Sequence, residues 1–159
     1  MRRLLKRLAI AAVAILALMQ LYRPARTNPT VEAGSSIESR LRVNPEALSV
    51  LRQACFDCHS NETDWPWYSN VAPVSWFVIG HVDEARGHMN FSEWSRFDPR
   101  HAEHQLEEIC EEVEEDRMPL PSYRLVHPEG RPTGGQVEAL CRWTTEARKG
   151  LMGEEAGAP

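Results

Sequence analysis

Cys55-Phe56-Asp57-Cys58-His59 is the most informative stretch of this 159-residue chain. Two thiols lie three positions apart and an imidazole follows the second directly, which is the attachment signature of c-type haem. The cysteine spacing matches the two vinyl groups along one edge of the porphyrin, and the histidine then lies under the ring, where its nitrogen takes an axial position on the iron. The motif predicts one covalently attached haem c, with Cys55 and Cys58 bonded to the ring and His59 to its iron.

Two other chemistries use the same residue types. A redox-active C-x-x-C is expected beside a βαβ pattern, and the sequence contains none. A zinc site needs two further Cys or His residues at ligand spacing, for which His101 and His104 are the candidates because they share one helix face. Haem is the favoured interpretation of the motif.

Helix signals lie on both sides of the motif. Asn44 followed by Pro45 predicts a helix start, and an apolar face then runs from Ala47 into Cys55. Further helices are predicted over 74–87, from Asp98-Pro99 to the prolines around Met118, and from the capping box of Thr133 and Gln136 to a stop at Gly150.

The predicted fold is all-α, because no long segment alternates polar and apolar residues with a period of two. We expect a cytochrome c-like helical domain of about four to five helices behind an N-terminal membrane-anchor helix. The predicted organisation is a signal anchor at 1–26, a tether at 27–43, the haem-binding domain at 44–150 and a disordered tail at 151–159.

The N-terminal segment reads as a targeting sequence, in which basic residues precede an apolar run over 8–22. A helix of that length spans about 22 Å, short of the roughly 30 Å hydrocarbon core, but snorkelling basic side chains bring it closer. No good cleavage site follows Met19, so we expect an uncleaved anchor through residues 4–22 of the inner membrane, with the domain in the periplasm. The alternative is a cleaved signal peptide and a secreted periplasmic domain.

The charge of the chain is divided unevenly. Residues 1–26 hold six basic and no acidic side chains, which leaves 12 basic and 23 acidic residues for the rest of the chain. An acidic domain argues against nucleic acid as a partner and suits basic or dipolar protein partners. The glutamates between 107 and 115 cover one helix face, which is either a solvated surface or a docking surface.

Haem iron has a sixth position, for which Met118 is the leading candidate. Met118 lies far downstream of His59, and the prolines beside it restrict the backbone that would hold its sulfur. His81, His88 and His127 are the competitors, and His127 ranks second because it lies in the same loop region.

The loop over 60–73 is expected to support the motif. Its three aromatic residues, Trp65, Trp67 and Tyr68, either cover a haem face or cap the protein core. The ring of His59 is expected to donate its other N–H to a backbone carbonyl, and residues 66–73 are a plausible source of that carbonyl.

Cys110 and Cys141 fall on inward-facing stripes of two separate predicted helices. In an oxidising compartment they form a disulfide that links these helices, provided that their Cα atoms come within about 7 Å, or they remain two buried thiols. Neither cysteine is needed for haem attachment.

With these residues in view, the chain resembles the haem-binding domain family of small, membrane-anchored, cytochrome c-like bacterial proteins. The resemblance is most specific over 55–76 and continues through 81–86, 90–94, 118–120, Tyr123 and His127-Pro128. It implies a single covalent haem at Cys55, Cys58 and His59, and it suggests Met118 as the distal ligand. Ala85 stands where the family usually has glycine, a departure expected to bear on a turn, and Cys110 and Cys141 are not part of the family pattern.

The sequence therefore predicts a monohaem c-type cytochrome that exchanges single electrons with periplasmic or membrane redox proteins, an electron carrier rather than a catalyst. The alternative is a haem-based small-ligand sensor or a peroxidase-like enzyme, which needs an open or displaceable sixth position on the iron.

Overall fold

The computed structural model describes the backbone of residues 1–156 and the side chains of residues 1–153. All regular structure in this part of the chain is helical, so the all-α prediction is confirmed. The α-helices are α1 (Arg2–Met19), α2 (Ile37–Arg40), α3 (Pro45–Ala54), α4 (Phe56–His59), α5 (Val74–His88), α6 (Pro99–Glu114), α7 (Pro121–Val126) and α8 (Gly134–Ala156). Short 3₁₀ helices span Trp67–Asn70, Phe91–Arg96 and Pro128–Gly130.

Two helices begin at the predicted asparagine and aspartate caps. The side-chain oxygen of Asn44 accepts the N–H of Ala47 at 2.8 Å, at the start of α3. The carboxylate of Asp98 accepts the N–H of His101 at 2.9 Å, at the start of α6. In both places proline follows the cap, so a local signal of two residues fixes the helix start.

The last helix starts as predicted and ends later than predicted. The side-chain oxygen of Gln136 accepts the N–H of Thr133 at 2.8 Å, which is half of the predicted capping box. The predicted stop at Gly150 is wrong, because α8 continues to Ala156. A glycine inside a helix costs only about 1 kcal/mol, and Leu151 packs against the core. The part of the predicted disordered tail beyond residue 156 lies outside the described residues.

The core lies between α3, α6 and α8, together with the segment that follows α5. Its largest fully buried side chains include Trp143 of α8, Phe91, and Leu106 of α6. The disulfide anticipated between Cys110 and Cys141 is present and joins α6 to α8, with the Cα atoms 4.9 Å apart.

Part of the segment predicted as a tether is built into the domain. Ile37 of α2 is fully buried in the core, and the hydroxyl of Ser35 donates to the carbonyl of Ser92 at 2.6 Å. Because α2 has only four residues, it is too short to display the periodicity by which a helix is recognised from sequence.

The expectation of a single-pass inner-membrane anchor through residues 4–22 is contradicted by the structure. Within residues 1–156, no helix has the length and apolar character needed to cross a membrane. The physical reason lies in α1, whose first six residues include four basic side chains. These leave about 18 Å of uncharged helix, against roughly 30 Å of hydrocarbon core.

Candidate haem-binding site

The C-x-x-C-H residues form a single helical turn directly after α3. The amide groups of Cys58 and His59 both donate to the carbonyl of Cys55, at 3.1 Å and 2.9 Å. The two thiols and the imidazole are therefore brought together by local backbone structure.

Neither cysteine of the motif is in a disulfide. Burial raises the pKa of Cys55 to about 12 and that of Cys58 to about 11, with the Asp57 carboxylate adding to the second shift. Both groups are therefore protonated thiols near neutral pH, a state that reacts slowly with oxidants. The pair remains available for bonding to a porphyrin.

The ring of His59 is held by one backbone carbonyl. Its Nδ1 donates to the carbonyl oxygen of Met89 at 3.1 Å, because a carbonyl can only accept. Nε2 is then the nitrogen with the free lone pair, as in most metal-ligating histidines. Burial lowers the pKa of His59, which also favours the neutral form. The predicted hydrogen bond is thus present, but its acceptor is Met89 and not a residue of the 66–73 loop.

Residues 89–94 form a buried support for the turn, which we call the His59 support. Phe91 stacks on Phe56 with ring centroids 5.2 Å apart. The side-chain amide of Asn90 donates to the Asn61 side-chain oxygen at 2.8 Å, and the Asn61 N–H donates to the hydroxyl of Ser92 at 2.9 Å. The Asn-Phe-Ser-Glu-Trp motif therefore fixes the chain on both sides of His59.

Arg86 supports the same region from α5. Its Nε donates to the carbonyl of Ser60 at 2.7 Å, and its Nη2 donates to the hydroxyl of Thr63 at 2.8 Å. The sequence interpretation missed this role and that of the His59 support. The sequence signal for both roles is a group of polar residues directly after the motif and a second group around residue 90.

A largely apolar cleft of about 360 Å³ opens beside Cys58. That volume lies within the range of roughly 300–1,000 Å³ typical of ligand and cofactor sites. Its walls come mainly from α5, from α7 and from the loop after the motif, and include Pro66, Trp67, Phe77, Val82, Leu120 and Val126. Trp67 is 77% exposed and Phe77 is 52% exposed, so a flat apolar ligand would cover side chains that otherwise face water.

Two of the three aromatic residues of the 60–73 loop reach the cleft. Trp67 and Tyr68 line it, whereas the indole N–H of Trp65 donates to the side chain of Asn28 at 3.2 Å. Of the two interpretations of this loop, cover for a cofactor fits Trp67 and Tyr68, and Trp65 belongs to the outer surface of the domain.

Polar side chains occupy the α7 side of the cleft. The hydroxyl of Tyr68 lies 2.6 Å from Nε2 of His127, and Tyr123 donates to the carboxylate of Asp57 at 3.0 Å. Burial, with the nearby Asp57 charge, raises the pKa of both tyrosines. The raised pKa values favour the neutral phenol form of both side chains.

The structure separates the candidates for the sixth ligand. Met118 packs against the hydrophobic core and does not line the cleft. His81 and His127 line it. The ring of His88 lies near Glu108 on the surface, with Nε2 3.2 Å from the carboxylate.

The zinc interpretation finds no support. Within the described side chains, His101 and His104 form no three-ligand cluster with Cys55 or Cys58. Both lie on α6, where the ring of His101 packs on Phe97 with centroids 4.9 Å apart.

The residues present fit a haem. Two free thiols and a histidine with an oriented ring lie in one helical turn, and the second thiol, Cys58, lines the apolar cleft. This is the donor set that the ring and its iron require. The departure at Ala85 changes no turn, because this residue lies inside α5, where alanine is the more favourable residue.

Comparison with known proteins identifies the family of the chain. No curated protein and no solved structure matches the chain. The family model described as "Haem-binding domain" matches residues 14–146, which include the motif, the His59 support and both sides of the cleft. The chain therefore belongs to the haem-binding domain family, and binds haem.

Proposed function

We propose that the chain carries one haem c, bound covalently through Cys55 and Cys58, and that it transfers single electrons. The observation that carries this proposal is the hydrogen bond from His59 Nδ1 to the Met89 carbonyl beside two free thiols. It prepares the imidazole as an iron ligand before any cofactor is bound.

The protein's part in such a function is to hold the ring and to exclude water. When bound, haem supplies a one-electron couple between ferric and ferrous iron. The apolar side chains of the cleft lower the local dielectric constant around that couple, and the neutral His59 gives the iron a ligand without added charge. We expect other redox proteins as partners, selected by the acidic surface of the domain.

A small-ligand sensor or a peroxidase-like enzyme is the second candidate. The observation that favours it is the pair of polar groups, Tyr68 and His127, in the cleft. Such groups serve acid–base chemistry or ligand stabilisation only where the sixth position of the iron is open.

Haem attachment is tested by expressing the full chain with cytochrome c maturation machinery and extracting the product with acidic acetone. We expect the colour to stay with the protein and to be lost in the Cys55→Ala/Cys58→Ala double variant. The matched control is Cys110→Ala/Cys141→Ala, which removes two cysteines outside the site and should keep the colour. A colourless wild-type protein, or haem that the solvent extracts, would overturn the proposal.

Electron transfer is tested on the same product by redox titration followed by absorption. A reversible one-electron transition without gain of an open, high-spin iron supports a carrier. High-spin iron that binds carbon monoxide in the wild type would favour the sensor or peroxidase-like candidate.

A further inference from the structure

His127 has the hydrogen bonds of a metal-ligating histidine. Its Nδ1 lies 3.2 Å from a carboxylate oxygen of Glu129. A carboxylate can only accept, so Nδ1 carries a proton, and in the neutral imidazole Nε2 then keeps its lone pair. A carboxylate or a carbonyl on the second ring nitrogen is the usual arrangement behind a histidine that binds a metal.

The lone pair of His127 is on the side of the cleft. Nε2 lies 2.6 Å from the hydroxyl of Tyr68, which must be the donor because Nε2 is the acceptor. Tyr68 lines the cleft and Glu129 does not. Nε2 of His127 is therefore linked to the cleft by its hydrogen bond from Tyr68, and a bond from Nε2 to iron could replace that hydrogen bond.

The plane of the His127 ring is also fixed. Tyr123 stacks on it with centroids 4.6 Å apart and an angle of 19° between the planes. Tyr123 is in turn tied to the C-x-x-C-H turn through Asp57. The imidazole of His127 is thus positioned relative to the motif by a chain of two contacts.

His81 is the other histidine in the cleft, and its position on α5 argues against it. Its Nδ1 donates to the carbonyl of Phe77 at 2.8 Å, so its Nε2 is also free. His59, however, is held by Met89, which follows directly after α5. The two axial ligands of haem approach opposite faces of the ring, and His127 directly follows α7, a wall of the cleft other than α5.

We propose that His127 is the second axial ligand of the haem iron and that it exchanges its hydrogen bond with Tyr68 for the iron. This inference rests on the proposed attachment at Cys55 and Cys58. It assigns the protein a His/His pair, where the family resemblance suggests His/Met. Methionine ligation raises the reduction potential, so a His/His pair gives a lower potential than a carrier with Met118 on the iron.

The experiment compares three variants of the full chain with haem attached: His127→Ala, Met118→Ala and His81→Ala. For the wild type we expect a low-spin spectrum without the weak far-red band of methionine–iron ligation. His127→Ala should become high-spin, should bind carbon monoxide when reduced, and should return to low-spin when imidazole is added. Met118→Ala and His81→Ala should stay low-spin.

A far-red methionine band in the wild type would overturn the inference, as would a low-spin spectrum in His127→Ala or a high-spin one in either control variant. Should His127→Ala fail to fold, as judged by far-UV circular dichroism, His127→Met replaces it. That variant should stay low-spin, gain the far-red band and shift to a higher reduction potential. An unchanged reduction potential would contradict the assignment of His127 as an iron ligand. Failure of covalent attachment in the wild type is a separate result, which overturns the proposed function itself.

Discussion

The His59 support (residues 89–94) and the segment 120–129 both contact the C-x-x-C-H turn, yet they differ in how fully the polypeptide completes them. In the support, Phe91 is 1% exposed and Trp94 is 2% exposed. In the other segment, Leu125 is 83% exposed and Val126 is 54% exposed. The first region is completed by protein contacts alone, whereas the second leaves apolar side chains exposed. Of these, Val126 lines the cleft and could be covered by a bound ring.

The difference teaches that the two histidines proposed as iron ligands, His59 and His127, are held in place by different kinds of contact. His59, which we propose as the fifth ligand, is fixed by buried groups whose positions folding determines. The side of His127 rests on half-exposed hydrogen bonds, which are weaker restraints. Damage to the support should therefore lower the stability of the whole domain, and damage to segment 120–129 should act mainly on the haem.

The largest effect is expected from Phe91→Ala. Removing a buried phenylalanine side chain costs about 3–5 kcal/mol of unfolding free energy. Phe77→Ala is the matched control, because Phe77 is half exposed in the cleft, and it should cost less than about 1 kcal/mol. Denaturant unfolding followed by far-UV circular dichroism measures both values, and equal losses would refute the contrast between the two regions.

Asn90→Ala should have an intermediate effect. It removes the bond to Asn61 and leaves the N–H of Ser92 without its side-chain acceptor in a buried position. We expect a loss of about 2 kcal/mol. Asn70→Ala, at an exposed asparagine whose side-chain amide donates to the Trp67 carbonyl, should change the unfolding free energy by less than about 0.5 kcal/mol. The same unfolding experiment applies, and a loss in the control as large as that in Asn90→Ala would contradict the prediction.

Tyr123→Phe should have the smallest effect on stability. It removes the hydroxyl that donates to Asp57 and keeps the ring that stacks on His127. The expected loss is about 1 kcal/mol, accompanied by faster amide hydrogen exchange confined to segment 120–129. Tyr22→Phe, at an exposed ring, is the control and should change neither quantity. Faster exchange in the His59 support would show that the two regions are coupled more tightly than we infer.

The sequence predicted what depends on local chemistry. The helix starts at Asn44 and Asp98 follow from the cap and the proline beside it, and the turn that unites Cys55, Cys58 and His59 follows from spacing alone. These features need no knowledge of the tertiary structure.

What could not be predicted depends on distant contacts. The Met89 carbonyl lies 30 residues from His59 in sequence, whereas the expected source, the loop after the motif, is nearer in sequence. The contact of Met118 with the core likewise depends on tertiary packing, which the neighbouring prolines do not reveal. The prediction of a spanning helix gave too little weight to the four basic residues at the start of α1. The free energy needed to place such residues in hydrocarbon opposes a spanning helix.

The disulfide between α6 and α8 also divides the four cysteines of the chain into a bonded pair and a free pair. The disulfide needs two oxidised sulfurs, whereas the proposed attachment needs Cys55 and Cys58 to stay reduced until the thioether bonds form. Because Cys110 and Cys141 meet on neighbouring helices, folding pairs them with each other and removes them as competitors for the motif. The packing of α6 on α8 therefore leaves Cys55 and Cys58 as the two thiols that can still react.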